Sequence, residues 1–282
     1  MSITASNAHR MLMRQLDHIV LVEDIGSGGT ARIFKGVDMH TGFPVAVKVL
    51  WTNIFKTQGM KDRFLQEANH YLYLNHPNIV RLKDFIQKED ASYLVMELID
   101  GQNLEEYINK VSGPMPGIKA AGIMRAVLSA LHYAHERNVL HLDMKPANIM
   151  LTSKGEVKVI DFGISSRFME ANKGSIMGSP LYMSPEQTEG KEIDQRSDIY
   201  SLGITLFQLL TGSTPFEGSL TRNELFRKIR EGRLPKAKTI YPFVSDALQL
   251  IIDKATAVNK RDRYQSAAEF FKALNKVVPW QN

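Results

Sequence analysis

The chain has 282 residues, 44% of them hydrophobic, which is enough apolar material for one large or two small domains with a buried core. It contains no cysteine, which excludes a disulfide framework and a thiolate metal site and fits a reducing compartment, the cytoplasm by default. The net charge of +5 comes from 35 basic and 30 acidic residues that are scattered along the chain, a pattern that disfavours nucleic-acid binding. Met1 to Arg10 is polar and lacks the apolar run of a signal peptide, and no apolar stretch approaches the ~20 residues that span a bilayer, so no membrane span is expected.

Taken in order, the residues from about Leu16 to Leu98 read as strands. Val45, Val47 and Val49 alternate, and Tyr93 to Met96 form a short apolar run. One helix interrupts this stretch, over roughly Lys61 to Leu74, with Phe64, Leu65, Ala68, Tyr71 and Leu72 on one stripe and Asn75-His76-Pro77-Asn78 as its stop. From Asn103 onward helical periods dominate: Leu104 to Asn109, Lys119 to Arg137, Asp198 to Leu210, Arg222 to Arg230, Asp246 to Ala257 and Ala267 to Val277. Strand and turn pieces fall at Val139 to Leu151 and Val157 to Asp161. The basic cluster from Thr221 to Lys238 reads as a solvated helix face and turn. The pattern predicts a small sheet-rich lobe, a hinge at Ile99-Asp100-Gly101, and a larger helical lobe, with ligands favoured in the cleft between them.

Three groups of residues point to phosphate chemistry. The turn Ile25-Gly26-Ser27-Gly28-Gly29-Thr30 leads through Ala31 and Arg32 to Ile33, and its glycines let backbone N–H groups approach phosphate oxygens. A dinucleotide-binding fold would place a helix next; here strands follow, so the loop is a hairpin lid. Lys48 stands among valines, where a charge belongs on a sheet edge or beside a partner, and Glu67 in the following helix is the available partner. The third group is His141-Leu142-Asp143-Met144-Lys145-Pro146-Ala147-Asn148, followed by Asp161-Phe162-Gly163.

In order and spacing these segments resemble the motifs of eukaryotic-type (Hanks-type) serine/threonine protein kinases, over nearly the whole chain from about Leu16 to Leu274. The wording Lys-Pro-Ala-Asn-Ile and Ser-Pro-Glu-Gln looks most like the bacterial branch. The resemblance implies an α+β, bilobal protein-kinase fold with a small β-rich N-lobe and a larger α-helical C-lobe. By it, residues 1–15 form an extension, 16–98 the N-lobe, 99–102 the hinge, 103–278 the C-lobe and 279–282 a tail. It further implies ATP with Mg²⁺ as cofactors, Mn²⁺ being an alternative ion, and a protein substrate with a Ser or Thr acceptor, the chain itself included. Oligomeric state is not readable.

By the same resemblance Asp143 accepts or orients the hydroxyl proton, Lys145 neutralises charge on the γ-phosphate, Lys48 held by Glu67 contacts the α- and β-phosphates, and Asn148 with Asp161 binds the metal. Ile25 to Thr30 cover the phosphates. Ile33, Ala46 and Met150 enclose adenine, Glu97 and Ile99 offer backbone hydrogen bonds to it, and Asn103 lies near the ribose. Met96 limits the pocket, and Tyr71, Leu82, His141 and Phe162 form a stacked column or are simply core residues. Gly178 to Glu186 resembles the acceptor-binding end of an activation segment, with Ser184 in place of the usual alanine. Glu186 pairs with Arg263, and Asp198 holds the catalytic-loop backbone.

Besides Ser184, Ala31 and Leu142 depart from the pattern. Ala31 replaces a glycine, and Leu142 replaces the arginine that usually grips a phosphorylated activation loop, so activity independent of phosphorylation in Ile164 to Met177 is expected. These departures are also the support for a rival reading, a pseudokinase or scaffold that binds ATP or a partner without transfer. A small-molecule kinase is disfavoured by the Gly178 to Glu186 segment.

Overall fold

The computed structural model describes residues 15–27, 31–51, 58–89, 91–162, 180–216, 218 and 221–279. Contacts divide the chain into two units: Met1–Asn75 with Val80–Asp100, and His76–Ile79 with Gly101–Asn282.

The first unit is built on an antiparallel sheet of β1 (Gln15–Leu16), β2 (Ile19–Ser27), β3 (Ala31–Asp38), β4 (Pro44–Trp51), β5 (Leu82–Gln87) and β6 (Ala91–Glu97), in the order β1-β2-β3-β4-β6-β5. Val45, Val47 and Val49 bury one face of β4 against Leu16, Ile19, Leu21, Phe34 and Val95, which is the period-two alternation read from the sequence. The turn after β3 is closed by Asp38, whose Oδ1 accepts from His40 N at 2.9 Å and whose Oδ2 accepts from Thr41 Oγ1 at 2.9 Å. Helix α1 (Gln58–Leu72) buries Phe64, Ala68 and Tyr71. Phe64 meets Phe85 of β5 edge to face at 5.6 Å, and Tyr71 donates to Val80 O at 2.7 Å. The helix thus begins and ends slightly before the predicted Lys61 to Leu74.

The second unit opens with β7 (Gly101–Asn103), which pairs with β8 (Ile149–Thr152), itself paired with β9 (Val157–Val159). Gly101 was expected in a hinge but forms a strand end, and only glycine fits there, because a Cβ would lie 2.2 Å from Leu151 O. The expected helix Leu104 to Asn109 is divided: α2 (Leu104–Tyr107) widens into a π turn over Ile108–Ser112, closed by Gly113 N donating to Ile108 O at 2.9 Å, with Gly113 at φ 57°. Then come α3 (Gly117–His135), α4 (Pro185–Glu189), α5 (Gln195–Thr211), α6 (Arg222–Glu231), α7 (Ala237–Ile240), α8 (Asp246–Ala255) and α9 (Ala267–Val277).

Every residue of α5 from Ser197 to Thr211 is buried, so it is the central rod of this unit. The segment 76–79 is stitched into the unit by Val159 N donating to Asn78 O at 2.8 Å and Asn78 Nδ2 donating to Val157 O at 2.8 Å. Helices α4 and α7, both very short, were not read from the sequence; α4 is set by a capping box at Ser184 and Gln187 and a left-handed Gly190 at φ 63°.

Candidate active site

The segment from Val139 to Lys145 has no repeating backbone hydrogen-bond pattern, so its shape has to come from side chains. The main one is Asp198, in the first turn of α5 and fully buried. Its Oδ2 accepts from His141 N at 2.9 Å and its Oδ1 from Leu142 N at 2.7 Å. His135 Nε2 lies 2.8 Å from Oδ2, and because a carboxylate only accepts, that nitrogen carries the proton. Burial pushes the Asp198 carboxyl up, but the bonds from His135 and the His141 backbone more than offset this and hold it below the ordinary aspartate value.

So anchored, Leu142 takes a left-handed conformation at φ 63° with its side chain buried. The chain then presents Asp143 to two donors. Lys145 Nζ donates to Asp143 Oδ2 at 2.8 Å, and Asn148 Nδ2 donates to the same oxygen at 3.0 Å and to Asp143 O at 2.8 Å. Asp143 N donates to His141 Nδ1 at 3.3 Å, which makes His141 Nε2 the protonated nitrogen, and that nitrogen lies 2.9 Å from its acceptor, Ile160 O. Ile160 N in turn donates to Asn148 O at 3.0 Å, and Asp161 follows at φ 62°. Asp143, Lys145 and Asn148 therefore share one network, with Asp161 next in the chain to Ile160, which the same network holds. His141 also meets Phe162 edge to face at 4.8 Å, and Tyr71 and Leu82 are buried within the first unit.

In the first unit Lys48 lies on β4, an inner strand, and is 7% exposed, so the sheet-edge alternative for it falls. Its cross-strand partners are Ile33 and Leu94, and Ala46 pairs with Met96. Lys48 and Ala46 alternate with the valines of the apolar core and so share the opposite face of β4. The backbone of Glu67 belongs to α1, but its side chain lies outside the described residues, as do Gly28, Gly29 and Thr30. Ile25 and Gly26 are on β2 with Ser27 at its end, and Gly26 N donates to Asp24 Oδ1 at 3.2 Å. Glu97 ends β6, where its Oε1 accepts from Arg81 N at 2.9 Å; Ile99 follows, half-buried. In the second unit Asn103 is the cross-strand partner of Met150, and its Oδ1 caps α2 by accepting from Glu106 N at 2.9 Å.

Gly178, Ser179 and the segment from Ile164 to Met177 lie outside the described residues; the chain is described again from Pro180. Ser201 Oγ donates to Tyr182 O at 2.8 Å, and Ser184 opens α4. Glu186 and Arg263 do meet, in a two-pronged pair at 2.7 and 2.8 Å. Arg263 spends its remaining N–H groups on the carbonyls of Ala257, Val258 and Arg196, and Ser197 Oγ adds a bond to Glu186 at 2.6 Å. Burial pushes the Glu186 carboxyl up, and Arg263 and Ser197 outweigh it, leaving the group below the usual glutamate range. Two members of this framework were not foreseen. His135 is a helix-end histidine with no pattern around it, and Gln187 donates from Nε2 to Leu142 O at 3.1 Å.

The protein kinase domain family matches residues 19–275. The serine/threonine-protein kinase PrkC of Bacillus subtilis is 37% identical over 87% of this chain and 38% of that protein. The serine/threonine-protein kinase PknB of Mycobacterium leprae is 35% identical over 93% of this chain and 43% of that protein. The chain thus spans about two fifths of the length of these relatives. The crystal structure of the Mycobacterium tuberculosis PknI kinase domain superposes with a TM-score of 0.78 at 26% identity, covering 94% of this chain and 98% of that one. A β-sheet lobe followed by a helical lobe, in this order of elements, is the expected α+β kinase fold, and the chain belongs to the protein kinase domain family.

Proposed function

We propose that the chain is an ATP-dependent serine/threonine protein kinase, its catalytic domain spanning residues 16–278 with an N-lobe at 16–98, a hinge at 99–102 and a C-lobe at 103–278. The observation that carries this is the Asp143 carboxylate gripped by Lys145 and Asn148 on a backbone fixed by buried Asp198. As the acceptor oxygen attacks the γ-phosphorus, its proton passes to Asp143, and the bond to the β,γ-bridging oxygen breaks, leaving ADP. Lys145 is near enough to Asp143 to place its ammonium beside the transferring group and offset the charge there. Lys48, on the non-core face of β4, is assigned to the α- and β-phosphates with Glu67 as its partner; Ile33, Ala46, Glu97, Ile99, Asn103 and Met150 are assigned to the nucleoside, and Ile25 to Thr30 to the phosphates.

Bound Mg²⁺, or Mn²⁺ in its place, would neutralise phosphate oxygens during transfer. The donor set fits a hard cation: Asn148 spends its amide nitrogen on Asp143, which leaves its oxygen as the ligand atom, and Asp161 supplies a carboxylate. ATP is a cytoplasmic metabolite, so the cytoplasm is where we place the reaction. The buried, uncharged Leu142 has no group to hold a phosphate, which supports activity without phosphorylation of the Ile164 to Met177 segment. Replacing Ser165, Ser166 and Ser175 together is expected to leave turnover in place, and a large fall would refute this part.

The central test is incubation with labelled ATP, Mg²⁺ and a generic protein acceptor. Transfer is expected to drop at least about a hundred-fold in both Asp143→Asn and Lys48→Met. Nucleotide binding by the wild type with no label on itself or any acceptor would instead favour a scaffold.

A further inference from the structure

Leu142 is held in the left-handed region, a conformation that is unfavourable for a residue with a Cβ. Something has to hold it there from both ends of the residue. On the amide side this is Asp198 Oδ1, at 2.7 Å from Leu142 N. On the carbonyl side it is Gln187, whose Nε2 lies 3.1 Å from Leu142 O. Leu142 is 6% exposed, so water is a poor substitute for this donor.

The other end of the same amide faces a different segment. Gln187 Oε1 accepts from Ser184 N at 2.9 Å and from Ser184 Oγ at 3.1 Å, at the start of α4. One planar group therefore ties the residue preceding Asp143 to the residue that resembles the end of the acceptor-binding segment. Resting on the kinase reading above, we propose that Gln187 is a positioning residue for phosphoryl transfer: it fixes the Leu142 carbonyl, and through it the aim of Asp143, relative to the segment that receives the acceptor.

The chemistry of the capping box separates this role from a merely structural one. A box with serine at the cap accepts glutamate or glutamine at its third position, because only the side-chain oxygen is used. The bond to Leu142 O needs the NH₂ of glutamine. Gln187→Glu therefore keeps the cap of α4 and replaces the donor to Leu142 by a charged acceptor.

The expected result for Gln187→Glu is a melting temperature close to that of the wild type, a kcat lower by about ten-fold, and an unchanged KM for ATP. The ratio of variant to wild-type kcat should rise as pH falls toward the carboxyl pKa, since a protonated glutamic acid can again donate to Leu142 O. A kcat equal to that of the wild type across the pH range would overturn the proposal. Hydrogen exchange supplies a readout that needs no turnover: the amides of Leu142 and Asp143 should exchange faster in Gln187→Glu, and unchanged exchange overturns the clamp. A wild type that transfers no label would refute the kinase reading alone, and the exchange measurement would still decide the role of Gln187.

Discussion

Glu186 and Arg263 show what an ion pair costs and secures when it is buried at the level of single residues. All five N–H donors of Arg263 have acceptors, and its side chain is wholly hidden, so neither charge can be removed without stranding the other. Arg263→Leu is expected to destabilise the protein by about 3–5 kcal/mol in denaturant titrations, whereas a change of both partners to apolar residues should cost much less. The pair also fixes a pH dependence. The folded-state pKa of Glu186 lies below its ordinary 4.5, so the unfolded chain takes up the proton first as pH falls. Its stabilisation is complete above that value and is lost as pH falls through the lower, folded one. The gap in melting temperature between wild type and Glu186→Gln should therefore stay constant from neutral pH to about 5 and shrink below about 4.5. Asp198, also depressed, acts with the same sign in the same acid range. At this scale the grouping of Asp143, Lys145 and Asn148 in one hydrogen-bond network was legible because the three lie close together in the chain. Gln187 was not, since its partner Leu142 is remote and nothing in a glutamine announces where its amide points.

Helix α5 and its neighbours show how one residue type acquires opposite meanings in different elements. Thr205 and Thr211 on α5 turn their hydroxyls back to the carbonyls of Ser201 and Phe207, both at 2.9 Å, and so enter a buried helix without orphaned polar groups. Gly203 of the same helix faces α8, where a Cβ would lie 2.6 Å from Thr256 Cγ2 and 2.9 Å from the Ala255 Cβ. Gly122 of α3 meets nothing within 4 Å. Helix propensity alone says that alanine should stabilise both sites by about 1 kcal/mol. We expect that gain at Gly122→Ala, but a net loss of about 1–2 kcal/mol at Gly203→Ala, because α8 has to move away. Thermal melts of the two single variants check the opposite signs. The same contrast explains which elements could be read. The long helices carry a repeating apolar stripe, which fixes their existence and, within a few residues, their ends. Strand β7 has three residues and Gly101 at its head, so it looks like a turn until Leu151 is seen packed over it. The π turn after α2 likewise depends on Gly113, and a sequence pattern cannot tell it from two more α-helical residues.

For the molecule as a whole, the division into a sheet-rich and a helix-rich part followed from the change in period near Asn103, whereas the allegiance of residues 76–79 did not. They read as a helix stop, yet Asn78 adds its backbone to β9 and its side chain to Val157, and a His76 ring nitrogen shares a 3.2 Å hydrogen bond with Ser129 Oγ of α3. Asn78→Ala is expected to cost about 1 kcal/mol of stability, measured by chemical denaturation, because its side chain bonds to Val157 O, remote from it in sequence. The chain accordingly passes from one unit to the other at Asn75, returns at Ile79, and passes over again at Asp100. Anyone wishing to build a reporter from two separately expressed fragments inherits a constraint from this route. A break after Asp100 gives a helical fragment missing His76–Ile79, so its exposed β9 edge has to borrow them from the other piece, and reassembly of the two halves becomes a strand-completion reaction.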